Sequence, residues 1–263
     1  MPRRVLIVSL IAALLYLPTI PSVAGAPEIT PEEQWFIYDL NRARSDPAGY
    51  AAEHGMNLTK NLAPQPPLAV NLDLSESSGF KAYEWGTFYS YPGGLPTSHC
   101  SPLTGICPDE LAWNYGYRHP WGTNDGNSIE GVWASNGISH PSAAAFINSP
   151  AHQAFMFEWY RTEIGAGLAH VDDGGGWDSY FAVHIAERAN GLPHTFVTGV
   201  VYDDINANCI MDLGEGLSGV SVSIPGAGST TTNAGGGYSV PVSPNSTYQV
   251  SVSGAGVSAS ASA

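Results

Sequence analysis

Positively charged residues are scarce in this chain of 263 residues, which has nine Lys and Arg against 23 Asp and Glu and a formal net charge of −14. A chain this acidic is repelled by phosphate backbones, so the composition argues against nucleic-acid binding. After residue 24 no segment approaches the roughly 20 unbroken apolar residues of a membrane-spanning helix, and we expect no transmembrane segment in the mature chain. Two common catalytic signatures, Gly-x-Ser-x-Gly and His-Glu-x-x-His, are also absent.

The N-terminal segment has the pattern of a secretory signal peptide. Arg3-Arg4 precedes an apolar run up to about Leu17, and Ser22-Val23-Ala24 forms a small-x-small cleavage site. We predict a signal peptide over residues 1–24, with an uncleaved N-terminal anchor as the alternative. The protein is therefore expected to be secreted, extracellular or at the cell surface.

Cysteine is rare, with three residues in the chain. Cys100 and Cys107 bracket a short loop, and in an oxidising compartment we expect a disulfide between them. Cys209 is far away in sequence and is left without a predicted partner.

Residues 27–190 show helical patterns followed by strands, without a βαβ rhythm, and this predicts an α+β domain. Thr30-Pro31-Glu32-Glu33 is a capping box that starts the first helix, in which Asp39 is expected to face outward. Further helices are predicted at residues 48–54, 73–89, 108–117 and 141–147 and from Ser149-Pro150 onward. Two alternating segments, Glu163–His170 and Tyr180–Ala186, predict an antiparallel hairpin.

Two histidines and one glutamate are candidates for a shared site. Glu130 precedes His152 by 22 residues, and His99 lies upstream of both. Two imidazoles and one carboxylate are a workable set of ligands for Zn²⁺, with an open position for water. The alternative is that Glu130 and His152 are partly buried polar groups that are hydrogen-bonded within the protein. The other histidines, His119 and His184 among them, are expected at the surface or at edges.

Composition changes after Asn190, because Lys and Arg no longer occur and Ser, Thr, Gly and Val dominate. Alternating segments at residues 195–201, 219–224, 237–242 and 247–253 predict a small all-β sandwich over residues 196–263. Residues 191–195 form the predicted linker. Because the C-terminal Ser-Ala alternation ends abruptly, we expect the chain to be a fragment of a longer surface protein.

A calcium-loop pattern opens this second domain. Oxygen-bearing groups occupy positions 1, 3, 5, 7, 9 and 12 of an EF-hand-type loop, namely Asp204, Asn206, Asn208, the Ile210 carbonyl, Asp212 and Glu215. Cys209 stands at position 6, where glycine is usual because the backbone needs a positive φ. The spacing predicts a calcium site, and a polar turn is the alternative.

Several segments together resemble the CAP family (cysteine-rich secretory, antigen 5 and pathogenesis-related proteins; the SCP-like extracellular domain) in its bacterial form. They are Leu40–Pro47, Ser98-His99, Glu130-Gly131-Val132, Asn148–His152 and Glu163–Gly167. The resemblance implies an α-β-α sandwich with a central cleft that holds two His and two Glu. It assigns His99 and His152 as the imidazoles and Glu130 as one carboxylate.

The chain departs from this family at two positions. Gly131 stands where Asn is usual, and residues 133–151 contain no acid that could be the second Glu. Separately, the calcium loop and the following Gly214–Val220 resemble the SdrD B-like repeat of bacterial surface proteins, a calcium-stiffened β-sandwich.

The resemblances, together with the missing second Glu and the lack of a recognisable general base, predict a secreted or cell-surface, non-enzymatic binding protein. Its cleft would take a small apolar molecule such as a lipid, or a component of the cell envelope, and the β-sandwich would act as a spacer. One alternative is a secreted metal-dependent hydrolase or peptidase that uses His99, Glu130 and His152. Another is a structural adhesion or matrix protein.

Overall fold

A computed structural model describes residues 28–58, 62–88, 99–101, 104–122, 126–135, 142–171 and 178–263. Their elements form an N-terminal part with helices and a sheet and a C-terminal part made of strands, so the predicted α+β class is confirmed. The predicted signal peptide lies outside the described residues. Among the residues described, no helix is long and apolar enough to span a membrane.

The helices of the described residues all lie in the N-terminal part. They are α1 (Pro31–Ser45), α2 (Pro47–Glu53), α3 (Leu72–Phe88), α4 (Pro108–Asn114), α5 (Ala143–Ile147) and α6 (Pro150–Met156). The predicted capping box of α1 is present, since Thr30 Oγ1 accepts from the Glu33 N–H and the Thr30 N–H donates to Glu33 Oε2.

Three local predictions about these helices were wrong. Helix α3 begins one residue early, because Asn71 Oδ1 accepts from the Leu74 N–H at 3.1 Å and caps the helix. Helix α5 begins after Ser142, whose side chain accepts from the Ala145 N–H. Asp39 does not face solvent: it accepts from the Tyr50 hydroxyl and the Ala143 N–H and so ties α1 to α2 and α5.

A four-stranded sheet lies at the centre of the N-terminal part. Its order is β1-β3-β4-β2, and the strands are β1 (Ala69–Val70), β2 (Glu130–Ser135), β3 (Glu163–His170) and β4 (Ser179–Ala186). Strands β3 and β4 pair antiparallel, as the sequence predicted, and β1 joins the edge parallel to β3. Strand β2 was not predicted from the sequence, and it pairs antiparallel with β4.

Helices cover both faces of this sheet. On one face α3 approaches the backbone of β3 so closely that a Cβ at Gly165 would lie 2.1 Å from the carbonyl carbon of Leu74. On the other face, side chains of the sheet join those of α1, α5 and α6 in one apolar cluster that includes Phe36, Leu40, Phe146, Met156, Ile164 and Phe181. The residues of the α3 face, Glu130 and His184 among them, therefore lie between the sheet and α3.

The C-terminal part consists of two sheets that share one apolar core. Its strands are β5 (Phe196–Val200), β6 (Ser221–Ile224), β7 (Gly228–Thr231), β8 (Gly237–Pro241), β9 (Gln249–Gly254) and β10 (Val257–Ser262). One sheet has the order β10-β9-β6-β7 and the other pairs β5 with β8. Valines and one isoleucine from both sheets fill the core: Val197, Val222, Ile224, Val240 and Val250. The sequence patterns predicted four of these strands and missed β7 and β10.

The two parts contact one another directly. Gln34 of α1 is 2% exposed, and its Oε1 accepts from Asn233 Nδ2 at 2.8 Å. Gly237 makes room for this side chain, since a Cβ there would lie 1.8 Å from Gln34 Oε1. The Val70 N–H of β1 donates to Ser239 Oγ at 2.9 Å. The C-terminal part is thus held by contacts with α1 and β1 as well as by residues 191–195.

Candidate functional site

Glu130 lies at the centre of a buried polar cluster. It is the first residue of β2, and its side chain has no exposed surface. Oε1 lies 2.9 Å from His99 Nδ1, and Oε2 lies 3.0 Å from His184 Nε2. Burial alone would raise the pKa of Glu130, but the hydrogen bonds from His184 and His99 outweigh it and hold the pKa below its usual value. Glu130 is therefore an ionised carboxylate that is held by two imidazoles.

His184 extends the cluster towards α3. Its position follows from the register of the sheet, because Glu130 and His184 are directly opposed on β2 and β4. Its Nδ1 lies 2.7 Å from Ser77 Oγ of α3. The Nε2–H of His184 donates to Glu130, and its Nδ1 faces the Ser77 hydroxyl, which also lies within hydrogen-bond distance of the Leu74 carbonyl oxygen.

Ser77, His184 and Glu130 thus show the bond pattern of a serine–histidine–acid triad. Ser77 and His184 are fully buried, and so is the side chain of Glu130. Ser77 also lies inside α3 and its hydroxyl is 3.0 Å from the Leu74 carbonyl oxygen. A substrate cannot reach this hydroxyl in the described structure, so the arrangement supports Glu130 and does not act as a nucleophile site.

A second buried group on α3 supports the segment that carries His99. Lys81 and Glu84 follow Ser77 on the same helical face, and Lys81 Nζ lies 3.3 Å from Glu84 Oε2. The Ser101 hydroxyl donates to the other oxygen of Glu84. Between His99 and Ser101, Cys100 forms a disulfide with Cys107. Helix α3 therefore anchors both sides of the cluster, through Ser77 on one side and Glu84 on the other.

His152 interacts electrostatically with His99 but is not hydrogen-bonded to Glu130. It sits in the first turn of α6, and its ring lies 5.0 Å from the ring of Phe146. Its Nδ1 is buried and has no hydrogen-bond partner among the residues described. Burial first, and the charge of His99 second, lower the pKa of His152. His152 is consequently a neutral imidazole with an unsatisfied nitrogen.

The structure thus joins Glu130 to His99, and it gives Glu130 a supporting role. Both oxygens of Glu130 are bonded to histidines, so this carboxylate orients imidazoles, as the outer carboxylates of metal sites do. The nitrogens left for a ligand are His99 Nε2 and His152 Nδ1. Within the described part of the chain, no group of three or more His, Cys, Asp or Glu side chains is placed to hold a metal ion. Zinc at this site stays a prediction.

Gly131, where the resembled family usually has Asn, is explained by packing. A Cβ at this position would lie 3.0 Å from a ring carbon of Phe155 and 3.4 Å from one of Phe146. The absence of a side chain therefore lets apolar rings from α5 and α6 close over β2 beside His152.

Two histidines that were expected at the surface are buried. His184 has 0% exposure and His119 has 1%. The His119 ring stacks on Trp121 with centroids 4.8 Å apart, and its Nε2 lies 2.9 Å from the Asp109 carbonyl oxygen. His119 belongs to a separate aromatic cluster, whereas His184 belongs to the site.

The residues that sequence reasoning missed are Ser77, Lys81, Glu84 and His184. The first three recur at intervals of four and three residues, so a polar stripe on α3 was visible in the sequence. The sequence did not show that this stripe is the buried one, because α3 has polar residues on its outer face as well. His184 could have been found from the alternation of β4, which places it on the α3 face together with Tyr180.

The calcium-type loop is held by hydrogen bonds between its side chains and its own backbone. Asp204 Oδ1 and Oδ2 accept from the N–H groups of Asn208 and Cys209, each at 3.0 Å. Glu215 is buried, and its two oxygens accept from Ile205 and Asp212 N–H groups at 3.0 and 2.9 Å. Cys209 has φ 60°, so the backbone at position 6 takes the left-handed conformation that the spacing demands even without glycine.

Two asparagine amides in this loop converge on Asp212. Asn206 Nδ2 and Asn208 Nδ2 donate to the same oxygen of Asp212, at 2.6 and 2.8 Å. Rotating each amide by half a turn would direct its oxygen to that point, at the expense of the bonds that these oxygens accept from the Asn208 and Ile210 N–H groups. Asp212 and the two amides therefore meet at one point of the loop, and the amides direct nitrogen towards it.

Comparison with known proteins gave little similarity. No protein-family model matches the chain, and no curated protein matches it. Among solved structures, the chain is similar to an outer surface protein from Borrelia burgdorferi, with 16% sequence identity and a TM-score of 0.34. The match covers 57% of this chain and 92% of the other. At this level the likeness says nothing about ligand or activity.

Proposed function

We propose that this chain is an exported or cell-surface binding protein that is not an enzyme, and that its ligand site lies beside His99 and His152. The observation that carries the proposal is the position of Glu130, whose two oxygens are both bonded to histidines inside the protein. A carboxylate held in this way orients an imidazole and is not free to act as a general base. The signal-peptide pattern and the Cys100–Cys107 disulfide support export.

The chemistry of the two imidazoles supports a ligand with both polar and apolar groups. Because Glu130 accepts from His99 Nδ1–H, the ring nitrogen of His99 that remains for a ligand is Nε2, and this side chain is 35% exposed. Apolar rings adjoin the second imidazole: Phe146 contacts His152, and Trp133 contacts Phe146. A small apolar molecule with a polar head, as the resemblance to the CAP family implies, suits this environment.

Binding of two probes by histidine variants tests the proposal. A fluorescent fatty acid and, separately, Zn²⁺ are titrated into chelator-treated protein, its His99→Ala and His152→Ala variants, and His170→Ala as a matched control at the exposed end of β3. We expect both site variants to weaken binding of at least one probe about tenfold or more, the equivalent of about 1.4 kcal/mol. If wild type and both site variants bind the two probes equally, or none binds either, the site is wrong.

The hydrolase alternative has one observation in its favour, the triad-like pattern of Ser77, His184 and Glu130. Burial of Ser77 and His184 argues against it. We therefore expect no esterase turnover of p-nitrophenyl butyrate that disappears in Ser77→Ala or His152→Ala. Turnover that either substitution abolishes in a folded variant would establish the hydrolase.

We also propose that the loop Asp204–Glu215 binds Ca²⁺ and stabilises the C-terminal part. The positive φ of Cys209 and the two amides that converge on Asp212 support this proposal. Without a cation, repulsion among Asp204, Asp212 and Glu215 is opposed mainly by N–H groups. Extracellular calcium would reduce this repulsion more strongly than the N–H groups do. The unfolding experiment described in the Discussion tests this site.

A further inference from the structure

We propose that helix α1 completes the calcium loop: Tyr38 positions the peptide that supplies the backbone ligand of the loop, so that cation binding and contact between the two parts of the chain stabilise each other. This inference rests on the proposed calcium site. It adds a residue from the N-terminal part to a site that the spacing places wholly in the C-terminal part.

The key contact is a hydrogen bond from the Met211 N–H to the Tyr38 hydroxyl, with a nitrogen–oxygen distance of 3.2 Å. The same peptide unit carries the Ile210 carbonyl, which is the ligand at loop position 7. In a trans peptide the N–H and the C=O point in opposite directions. A hydroxyl bonded to the N–H therefore fixes the rotation of this peptide and directs its carbonyl away from Tyr38. Tyr38 acts on the ligand without touching the cation.

The surroundings of this bond restrict movement of the loop. Met211 is 1% exposed although it lies in a surface loop. A cavity of about 250 Å³ lies next to this bond, and Trp35, Tyr38 and Arg42 of α1 line it together with Ile210 and Asp212 of the loop. The side of the loop that carries positions 7 and 9 therefore faces the N-terminal part.

A second contact holds the same two parts together at a different place. The buried Gln34 side chain lies against Gly235 and Gly237 and accepts from Asn233. Because Gln34 lies one turn before Tyr38 on α1, both contacts act on one rigid helix. If contact between the parts orders the Ile210–Met211 peptide for the cation, the cation must strengthen that contact by the same factor.

Calcium titration of the full chain tests the inference. Chelator-treated wild type, Tyr38→Phe, Gln34→Ala and the control Tyr83→Phe, on the outer side of α3, are titrated with CaCl₂ in a calorimeter. Tyr38→Phe removes one hydroxyl, and we expect the calcium Kd to rise about threefold to tenfold, the range for one ordinary hydrogen bond. Gln34→Ala should raise it less, since it acts only through contact between the parts, and Tyr83→Phe should leave it unchanged.

Hydrogen exchange supplies the reciprocal measurement. Calcium should slow exchange in peptides that cover α1 in wild type, and should fail to do so in Glu215→Gln. Circular dichroism verifies that each variant is folded, and Gln34→Ala keeps the test decisive if Tyr38→Phe does not fold.

The outcomes distinguish failure of the coupling from failure of the calcium site. If wild type binds Ca²⁺ while Tyr38→Phe and Gln34→Ala bind it with the same Kd, the coupling is wrong and the calcium site stands. If wild type binds no Ca²⁺ at millimolar concentration, the calcium site is wrong and the coupling is wrong with it. Weaker binding by Tyr38→Phe together with slower exchange in α1 supports the coupling.

Discussion

The two polar regions of this protein, the cluster around Glu130 and the loop Asp204–Glu215, differ in the groups that pair with their carboxylates. Each brings carboxylates close to other polar groups. In the cluster, Glu130 is buried and its partners are side chains, His99 and His184. In the loop, the partners are largely backbone N–H groups and exposed amides of the same short segment.

This difference in partners determines whether a region is sensitive to substitution or to ions in solution. The cluster is assembled from α3, β2, β4 and the segment that carries His99, so its geometry depends on the whole N-terminal part. Its charges are already compensated by protein groups, and removing one partner leaves another buried without compensation. The candidate ligands of the loop come from one segment, and all its polar side chains except Glu215 reach solvent, so its charge responds to ions in solution. We expect the cluster to be sensitive to substitution and the loop to calcium.

The largest effect should come from Glu130→Ala. The substitution leaves His99 and His184 without their acceptor, and breaking a buried pair of this kind costs roughly 3–5 kcal/mol. Unfolding in guanidinium chloride measures the loss. Glu53→Ala is the control, because Glu53 is also paired, with Arg42, but is exposed, and surface pairs contribute about 0–1 kcal/mol. Equal losses in the two variants would contradict the contrast between buried and exposed carboxylates.

The next effect should come from calcium on the loop. A ligand that binds only the native state stabilises it by about 2.7 kcal/mol at a hundredfold excess over Kd. Thermal unfolding of the full chain should therefore occur at a higher temperature in millimolar calcium than in chelator. Glu215→Gln should remove the difference, because position 12 supplies the bidentate ligand.

A control for calcium lies in the other region. His152→Gln alters the cluster and leaves the loop intact, so it should keep the full calcium-dependent rise in unfolding temperature. An identical midpoint with and without calcium in the wild type would exclude a stabilising site in the loop.

The contrast also explains how much of the fold could be predicted. Signals that act within a few residues were read correctly: the capping box at Thr30, Pro150 at the start of α6, and the alternation of β3 and β4. The errors occurred where a distant partner decides the outcome. Asp39 looked like a surface residue of α1 until Tyr50 and the N terminus of α5 were placed against it.

The same distinction applies to the candidate site. His99 and Glu130 were named from the sequence, and the structure joins them. The partner on the other oxygen of Glu130, His184, depends on the pairing register of β2 with β4, and β2 was not predicted as a strand. Since register is set by the packing of the whole sheet, no pattern around residue 184 could have specified this contact. The loop, by contrast, carries all its candidate ligands within one segment, and its spacing alone specified them.

Two glycines, Gly165 and Gly237, allow the comparison to be extended to packing. In Gly165→Ala the new methyl would lie 2.1 Å from backbone atoms of α3, so helix and sheet must separate. We expect a loss of about 1–3 kcal/mol, as for other overpacked cores. In Gly237→Ala the new methyl meets the end of the Gln34 side chain, which can move at the expense of its bond to Asn233. Its loss should be smaller, about 1 kcal/mol, and a larger loss for Gly237→Ala than for Gly165→Ala in denaturant unfolding would contradict this ranking.

The smallest effect should be a dependence of stability on pH that belongs to the cluster. The pKa of His152 is lowered in the folded chain from the usual 6.5, first by burial and second by His99. Below that value the unfolded chain binds the proton more readily than the folded chain does, so stability falls as the solution is acidified. The pKa of Glu130 is also lowered, from 4.5, by its histidine partners acting against burial, so its contribution is lost only at lower pH.

Acid should therefore destabilise the protein in two steps, and His152→Gln should flatten the first. The measurement is the free energy of unfolding between about pH 7.5 and pH 5.5, above the range in which Glu130 takes up its proton. His170→Gln serves as the control and should keep the slope of the wild type. A slope in His152→Gln equal to that of the wild type would mean that the buried imidazole of His152 is not the group that takes up the proton on unfolding.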